Sequence, residues 1–265
     1  MSIRYISVAS GSSGNCHYIE KSKTKILVDA GLSGKKIEEH LRQHHVDLAT
    51  LGGIMVTHEH SDHIKGVGII SRRYDVPVFA TIKTWESMEK NCLVKIKPEN
   101  KRVFTPYESF SIGDIEINPF STSHDAVDSC GFAISDGKNK LSIATDLGCV
   151  TDKVMEYISH SELVILESNH DEQMLKMGSY PYYLKQRVLS EFGHLSNADA
   201  GDVAAKLAKL GTKAVLLAHL SQENNMPVLA YQTVASIMEE QGVYANKDMD
   251  LMVLERSRVS DIFII

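Results

Sequence analysis

Three histidines and two carboxylates lie within six residues of one another in the segment GIMVTHEHSDHIKG, positions 53–66. They are His58, Glu59, His60, Asp62 and His63. A hydrolytic metal centre needs several fixed nitrogen and oxygen ligands together with open coordination positions. The segment therefore predicts a metal-binding loop. A solvated polar loop rich in histidine is the alternative, but an ordered His-x-His-x-Asp-His directly after a buried strand is rare by accident.

The apolar run Ile54–Val56 before this loop predicts a short buried strand that ends near Thr57. In extended chain, residues two apart project to the same side, so His58 and His60 can contact one cation. Asp62 and His63 are neighbours and must point in different directions. This spacing suits a second cation close to the first.

Composition is that of an ordinary soluble enzyme, with 43% hydrophobic and 23% charged residues among 265. We expect one domain over residues 1–265 and no membrane span, because no apolar run approaches the roughly 20 residues that a span needs. The N-terminus does not resemble a secretory signal. Four cysteines without paired spacing indicate reduced thiols and a cytoplasmic location. The net charge of −6 does not by itself indicate a nucleic-acid partner.

Hydrophobic periodicity predicts the elements that hold the loop in place. We expect strands at 3–9, 17–20 and 25–29, a mostly β region over 93–145, and strands LVILES and AVLLAH later in the chain. The tail, residues 250–265, is predicted as strands around a turn. Helices are expected over 33–45, 64–73, 83–90, 151–158, 182–191, 198–210 and 227–241, with Ser33 and Asn197 as N-caps. A β-rich part followed by an α/β part predicts a four-layer αββα sandwich.

Three further residues with metal-binding side chains close predicted strands. They are His124 in FSTSHDA, Asp146 in SIATDLG and His219 in AVLLAHLS. Each alone is more often a satisfied core or surface residue, but three at strand ends are harder to dismiss. The small-residue loop Ser10–Asn15 fits either phosphate contact through backbone amides or a tight hairpin connection, and the sequence does not choose between them.

The loop motif and these strand-end residues resemble the metallo-β-lactamase superfamily of binuclear hydrolases. The resemblance implies two divalent metal ions, Mn²⁺ or Zn²⁺. By the resemblance, His58, His60 and His124 hold one ion; Asp62, His63 and His219 hold the other; and Asp146 bridges both.

Two later segments are similar to the tRNase Z group of that superfamily. GHLSNADA contains His194, which by resemblance protonates the leaving group, and VILESNHD contains Glu167, which orients it. A carboxylate beside the imidazole is expected to raise the histidine pKa. The match is partial because the segment reads His194-Leu195-Ser196. A buried structural hydrogen-bonding role is the alternative for Glu167, and His170 is predicted to face substrate.

Across nearly the whole chain, SGSSGNC, THEHSDH, STSHDAVDSCGF, ATDLG, LESNHD and ERSRVSD resemble the YycJ/WalJ type of metallo-β-lactamase-fold protein. The resemblance implies a 5′→3′ exonuclease on double-stranded DNA in DNA repair, and a homodimer. A hydroxide bridging the ions is expected to attack phosphorus, with His194, Glu167 and Asp62 as catalytic residues. Substrate contacts are predicted at Ser13, Asn15, His170 and Asn225, with Asn224 beside them.

Three other functions remain open. An RNase Z-like ribonuclease is disfavoured because no Gly/Pro-rich insertion is present to serve as a tRNA-binding arm. A small-molecule hydrolase of a cyclic phosphodiester, lactone or thioester uses the same metal centre. A metal-stabilised regulatory partner without turnover is the alternative that is not an enzyme.

Overall fold

Two seven-stranded sheets dominate the fold in a computed structural model, which describes residues 2–91 and 94–265. The strands in chain order are β1 Arg4–Ala9, β2 Cys16–Lys21, β3 Thr24–Val28, β4 Gly53–Met55, β5 Val78–Ala80, β6 Lys101–Val103, β7 Phe110–Ile112, β8 Ile115–Ser121, β9 Cys130–Ser135, β10 Lys140–Ala144, β11 Leu163–Glu167, β12 Ala214–Ala218, β13 Asp250–Val253 and β14 Phe263–Ile264.

Helices connect the parallel strands. They are α1 Gly34–Arg42, α2 Ser61–Ile64, α3 Val67–Tyr74, α4 Ile82–Lys90, α5 Asp152–Ile158, α6 Glu172–Met177, α7 Tyr182–Val188, α8 Asn197–Lys209 and α9 Pro227–Glu240.

Each sheet joins an antiparallel part to a parallel part. The first has the order β14-β1-β2-β3-β4-β5-β6, in which β3 to β6 are parallel. The second has the order β13-β12-β11-β10-β9-β8-β7, in which β10 to β13 are parallel. Parallel neighbours need a crossover, and a helix lies between each consecutive pair in both sheets. The carboxyl ends of the parallel strands therefore face one edge of each sheet.

Three apolar cores define the layers. One joins the two sheets, with Ile26 and Met55 from the first sheet and Phe132 and Ile165 from the second. A second core joins the first sheet to α1, α3 and α4, and a third joins the second sheet to α5, α8 and α9. Helix, sheet, sheet and helix follow in that order, so the predicted four-layer αββα sandwich is confirmed.

Several predicted boundaries were wrong for local reasons. The N-cap of α8 is Ser196, whose hydroxyl accepts from the Asp199 amide at 3.1 Å, whereas Asn197 is already helical. The helix predicted at 64–73 is two helices, α2 and α3, with Gly66 between them. Helix α6 was not predicted. The tail strands do not pair with each other: β13 lies in the second sheet and β14 in the first.

The structure bears on two further predictions, the reduced cysteines and the lack of a membrane-spanning helix. Cys16 and Cys130 are buried free thiols and Cys149 is partly exposed, while Cys92 lies outside the described residues. Over residues 2–91 and 94–265, we find no helix with the length and apolar character to cross a bilayer.

Candidate metal centre and cleft

All seven predicted metal ligands lie at one end of the two sheets, where strands of both sheets finish. The segment after β4 supplies four of them, two from a loop and two from α2, and single residues after β8, β10 and β12 supply His124, Asp146 and His219. The carboxyl ends of parallel strands meet at one edge, so residues far apart in sequence converge there. The fold thus brings the predicted set together.

Three of the strand-end residues at this edge have left-handed backbone. Asp29, Asp146 and His219 follow β3, β10 and β12 with φ of 60°, 56° and 55°. Positive φ is uncommon for residues with a Cβ, and such strain gathers at functional sites. At each of these three residues, the left-handed conformation turns the backbone away from the strand direction.

His58, His60 and His124 form the first group. The Nδ1 atom of His60 lies 3.4 Å from Nε2 of His124, and His58 packs against both rings with centroid separations of 4.6 and 5.0 Å. Two nitrogens on one tetrahedral zinc, at bonds of about 2.0–2.1 Å, lie roughly 3.3 Å apart. The separation of the His60 and His124 nitrogens matches that geometry.

Asp62, His63 and His219 form the second group. Oδ2 of Asp62 lies 3.5 Å from Nε2 of His63 and 3.9 Å from Nε2 of His219. Asp146 stands between the two groups: its Oδ2 is 3.4 Å from His63 Nε2, and its Oδ1 is 3.8 Å from His124 Nε2. Oδ1 also lies 3.1 Å from Nδ1 of His219, so Asp146 is within reach of both groups.

Unpartnered buried atoms test whether these residues fit a cation. His58 Nε2 and Asp146 Oδ2 are buried and have no hydrogen-bond partner among the described residues. Burial alone lowers the pKa of His63 and His219, but Asp146 and neighbouring carboxylates outweigh burial and raise both, that of His219 to about 10. The carboxylates around the second group therefore favour positive charge, whereas burial lowers the pKa of His58 and His124 in the first group and favours neutral imidazoles. Neutral imidazoles and carboxylates are ligands that fit divalent cations.

Asp29 holds two of the histidines in position, a role that sequence reasoning missed. Its Oδ2 accepts from His63 Nδ1 at 2.7 Å and from the Thr57 hydroxyl at 2.8 Å. The Thr57 oxygen lies 2.9 Å from His58 Nδ1. A carboxylate behind a ligating histidine fixes its tautomer and leaves the other nitrogen for metal. The sequence feature that could have indicated this role is an aspartate directly after a predicted strand.

The loop after β4 packs closely against the end of β3. A Cβ on Gly31 would stand 1.6 Å from the Asp62 carbonyl oxygen, and the Ala30 amide donates to the His63 carbonyl at 2.8 Å. The Asn15 amide donates to the Asp62 carbonyl at 2.8 Å. Only glycine permits this approach. Backbone contacts therefore fix the positions of Asp62 and His63 relative to the end of β3.

His194 and Glu167 form a hydrogen-bonded pair beside the two groups. His194 Nδ1 lies 2.7 Å from Glu167 Oε1, and the His194 ring is 5.0 and 5.3 Å from the rings of His124 and His219. Burial raises the pKa of Glu167, but the imidazoles of His194 and His219 outweigh burial and lower it to about 2. An ionised Glu167 keeps the His194 proton on Nδ1, and Nε2 is then free for another contact.

A cleft of about 150 Å³ opens at His194. Its lining includes Ser12, Asp125, Tyr180, Arg187, Gly193 and Asn224. Sequence reasoning missed Tyr180 and Arg187, because no local motif marks a residue that reaches the site through tertiary packing.

The structure brings few of the predicted substrate contacts to this cleft. Ser13 is exposed, but its neighbour Ser12 lines the cleft. Asn15 is buried, with Nδ2 3.0 Å from His63 Nε2 and 3.4 Å from Asp62 Oδ2, so it lies against the metal-facing atoms of the second group and outside the cleft lining. Asn225 donates to the carbonyls of Ser168 and Asn169.

His170 is only 1% exposed and lies outside the cleft lining, so the geometry gives no support to substrate contact there. The amides of Gly11, Gly14 and Asn15 already bond within the protein, which favours the hairpin interpretation of the Ser10–Asn15 loop.

Comparison with known proteins assigns the family. Residues 24–220 match the Beta-lactamase superfamily domain. The chain is 43% identical over 91% of its length to the exodeoxyribonuclease YycJ of Bacillus anthracis, covering 91% of that protein. It is 42% identical over 88% of its length to the exodeoxyribonuclease WalJ of Streptococcus pneumoniae serotype 2 (strain D39), covering 87% of that protein.

A solved structure, the metallo-β-lactamase fold protein YhfI from Bacillus subtilis, has a TM-score of 0.76 at 16% identity and covers 100% of both chains. At that identity the likeness concerns the fold alone. The chain belongs to the metallo-β-lactamase superfamily and, within it, to the family of the YycJ and WalJ proteins.

Proposed function

We propose that this protein is a metal-dependent phosphodiesterase that removes nucleotides from the 5′ end of double-stranded DNA, in the cytoplasm and in DNA repair. The His194–Glu167 pair carries this proposal, because it holds an imidazole nitrogen beside the candidate ligands and at the mouth of the cleft. The names of the two relatives, both exodeoxyribonucleases, supply the substrate class. The 5′→3′ direction rests on resemblance alone.

Two cations, Mn²⁺ or Zn²⁺, fit the seven residues described above. One would be held by His58, His60 and His124, the other by Asp62, His63 and His219, with Asp146 shared. Bound there, such ions acidify water and neutralise charge on the phosphate.

His194 acts on the leaving group. A water oxygen bonds to phosphorus, the bond from phosphorus to the 3′ oxygen breaks, and that oxygen takes the proton from His194 Nε2. The proton that the water loses restores the imidazolium. Glu167 holds the ring through Nδ1 and stabilises its positive charge. An alkoxide needs this proton far more than a thiolate does, so the pair supports a phosphodiester over a thioester substrate.

The proposal is tested with duplex DNA labelled at the 5′ or the 3′ end and metal-stripped protein given Mn²⁺ or Zn²⁺. Mononucleotides released first from the 5′ label are the expected result. Release first from the 3′ label overturns the direction. Hydrolysis of bis-p-nitrophenyl phosphate without release from DNA overturns the exonuclease and leaves a phosphodiesterase of small substrates.

A further inference from the structure

A run of exposed aromatic side chains follows the cleft. Tyr182 is 77% exposed, Tyr183 is 73% exposed and Phe192 is 59% exposed. We call residues 180–192 the aromatic segment. Single exposed apolar residues are normal on a protein surface, but several on one short segment mark a binding surface.

The aromatic segment is continuous with the proposed active site. Tyr180, Leu184 and Arg187 line the cleft, and Gly193 and His194 follow the segment directly. On α7, Tyr183 lies one turn before Arg187, and side chains four apart on a helix are neighbours. Tyr183 thus lies beside a residue that lines the cleft, and Phe192 directly precedes Gly193 and His194.

Charge on the segment differs from charge on the whole chain. It carries Lys185 and Arg187 against the single acid Glu191, within a protein of net charge −6. Arg187 also pairs with Asp125 at the cleft. Aromatic faces interleaved with basic groups suit a nucleic-acid strand, because bases stack on the rings while cations contact phosphates.

We propose that Tyr183 and Phe192 stack on the terminal bases of the DNA strand whose phosphate reaches His194. This inference rests on the proposed function. An enzyme that removes nucleotides from a duplex end must unpair that end, and stacking on protein rings offsets the lost base stacking. Every base has a π face, so the platform tolerates any sequence at the end.

Binding is measured with duplex DNA that carries 2-aminopurine at its 5′ end and phosphorothioate linkages that resist cleavage. Stacking on a ring quenches the fluorescence of this base, a signal that a merely structural residue does not produce. The variants Tyr183→Ala and Phe192→Ala are expected to weaken binding about 5-fold to 100-fold each and to lose the quenching. Tyr183→Phe is expected to retain both.

Tyr244→Ala is the matched control. Tyr244 is 45% exposed and precedes β13, at the opposite end of the second sheet from the cleft. All variants are also tested for bound Mn²⁺ and for folding by circular dichroism, and neither should change.

The possible failures are distinct. If the wild-type protein digests duplex DNA while Tyr183→Ala and Phe192→Ala bind and quench like wild type, the platform is overturned and the exonuclease stands. If the wild-type protein neither binds nor digests DNA, both proposals fall. If the two variants convert a dimer to a monomer in light scattering, the surface is an interface between copies and the platform is overturned.

Discussion

The two sheets contribute to the candidate metal centre in different ways. The first sheet supplies four of seven ligands from one continuous segment, His58 to His63, held by Asp29 and Gly31. The second sheet supplies single residues, His124, Asp146 and His219, from three separate strand ends. Local sequence encodes the first contribution, whereas the order of strands in the sheet encodes the second. The site exists only where the two edges meet.

The largest expected effect comes from removing one ligand on either side. We expect Asp146→Ala and His58→Ala to reduce turnover of bis-p-nitrophenyl phosphate by roughly 10³-fold or more, because several kcal/mol of transition-state stabilisation are lost. Turnover and bound metal are measured together. Asp250→Ala, at the opposite end of the second sheet, is the control. Near-normal turnover in either ligand variant would show that one sheet suffices.

Loss of the proton donor is expected to have the next largest effect. His194→Ala should slow DNA hydrolysis by about 10²-fold to 10³-fold and leave bound metal unchanged. The loss should be smaller for bis-p-nitrophenyl phosphate, whose nitrophenolate leaves without protonation. An equal loss on both substrates would assign His194 to metal binding or positioning.

The support behind the loop should matter less than the ligands themselves. Asp29→Asn removes the charge that accepts from His63 Nδ1, and we expect a 10-fold to 100-fold loss in metal affinity or activity. Metal titration measures it. Asp47→Asn, an exposed position in the same half, is the control. An unchanged metal affinity would mean that backbone contacts alone orient His63.

The smallest effect is expected on stability. Gly31→Ala forces apart the end of β3 and the Asp62 carbonyl, which we expect to lower the free energy of unfolding by about 1–3 kcal/mol. Chemical denaturation measures this change. Gly52→Ala, where the added methyl meets its nearest atom at 3.4 Å, is the control. Equal stability of the two variants would argue against the close approach.

The difference between the two sheets also explains which ligands the sequence could predict. The loop ligands and the buried strand before them are local, so period and residue type revealed them. His124, Asp146 and His219 are ordinary residues locally, and only resemblance to a family assigned them together. Their convergence in the structure depends on the pairing order of β8 to β12.

Other features were missed because they depend on tertiary packing. In the sequence, Asp29 is only a residue at the end of a predicted strand. Its support of His63 is apparent from the distance between the two side chains. Tyr180 and Arg187 reach the cleft through the path of the chain between β11 and α8. Asn225 was predicted near substrate from polarity, and His170 from its place three residues after Glu167, yet both are buried. For Asn225, polarity alone did not separate a ligand contact from an internal hydrogen bond. Neither ring nitrogen of His170 has a hydrogen-bond partner among the described residues.

The most direct test is the number of metal ions that one chain binds. Native mass spectrometry of metal-stripped protein titrated with Mn²⁺ or Zn²⁺ should give two ions for the wild type and one for His60→Ala. Two ions in the wild type and one in that variant would support a centre built jointly by both sheets. A single ion in the wild type, or two retained in His60→Ala, would contradict it.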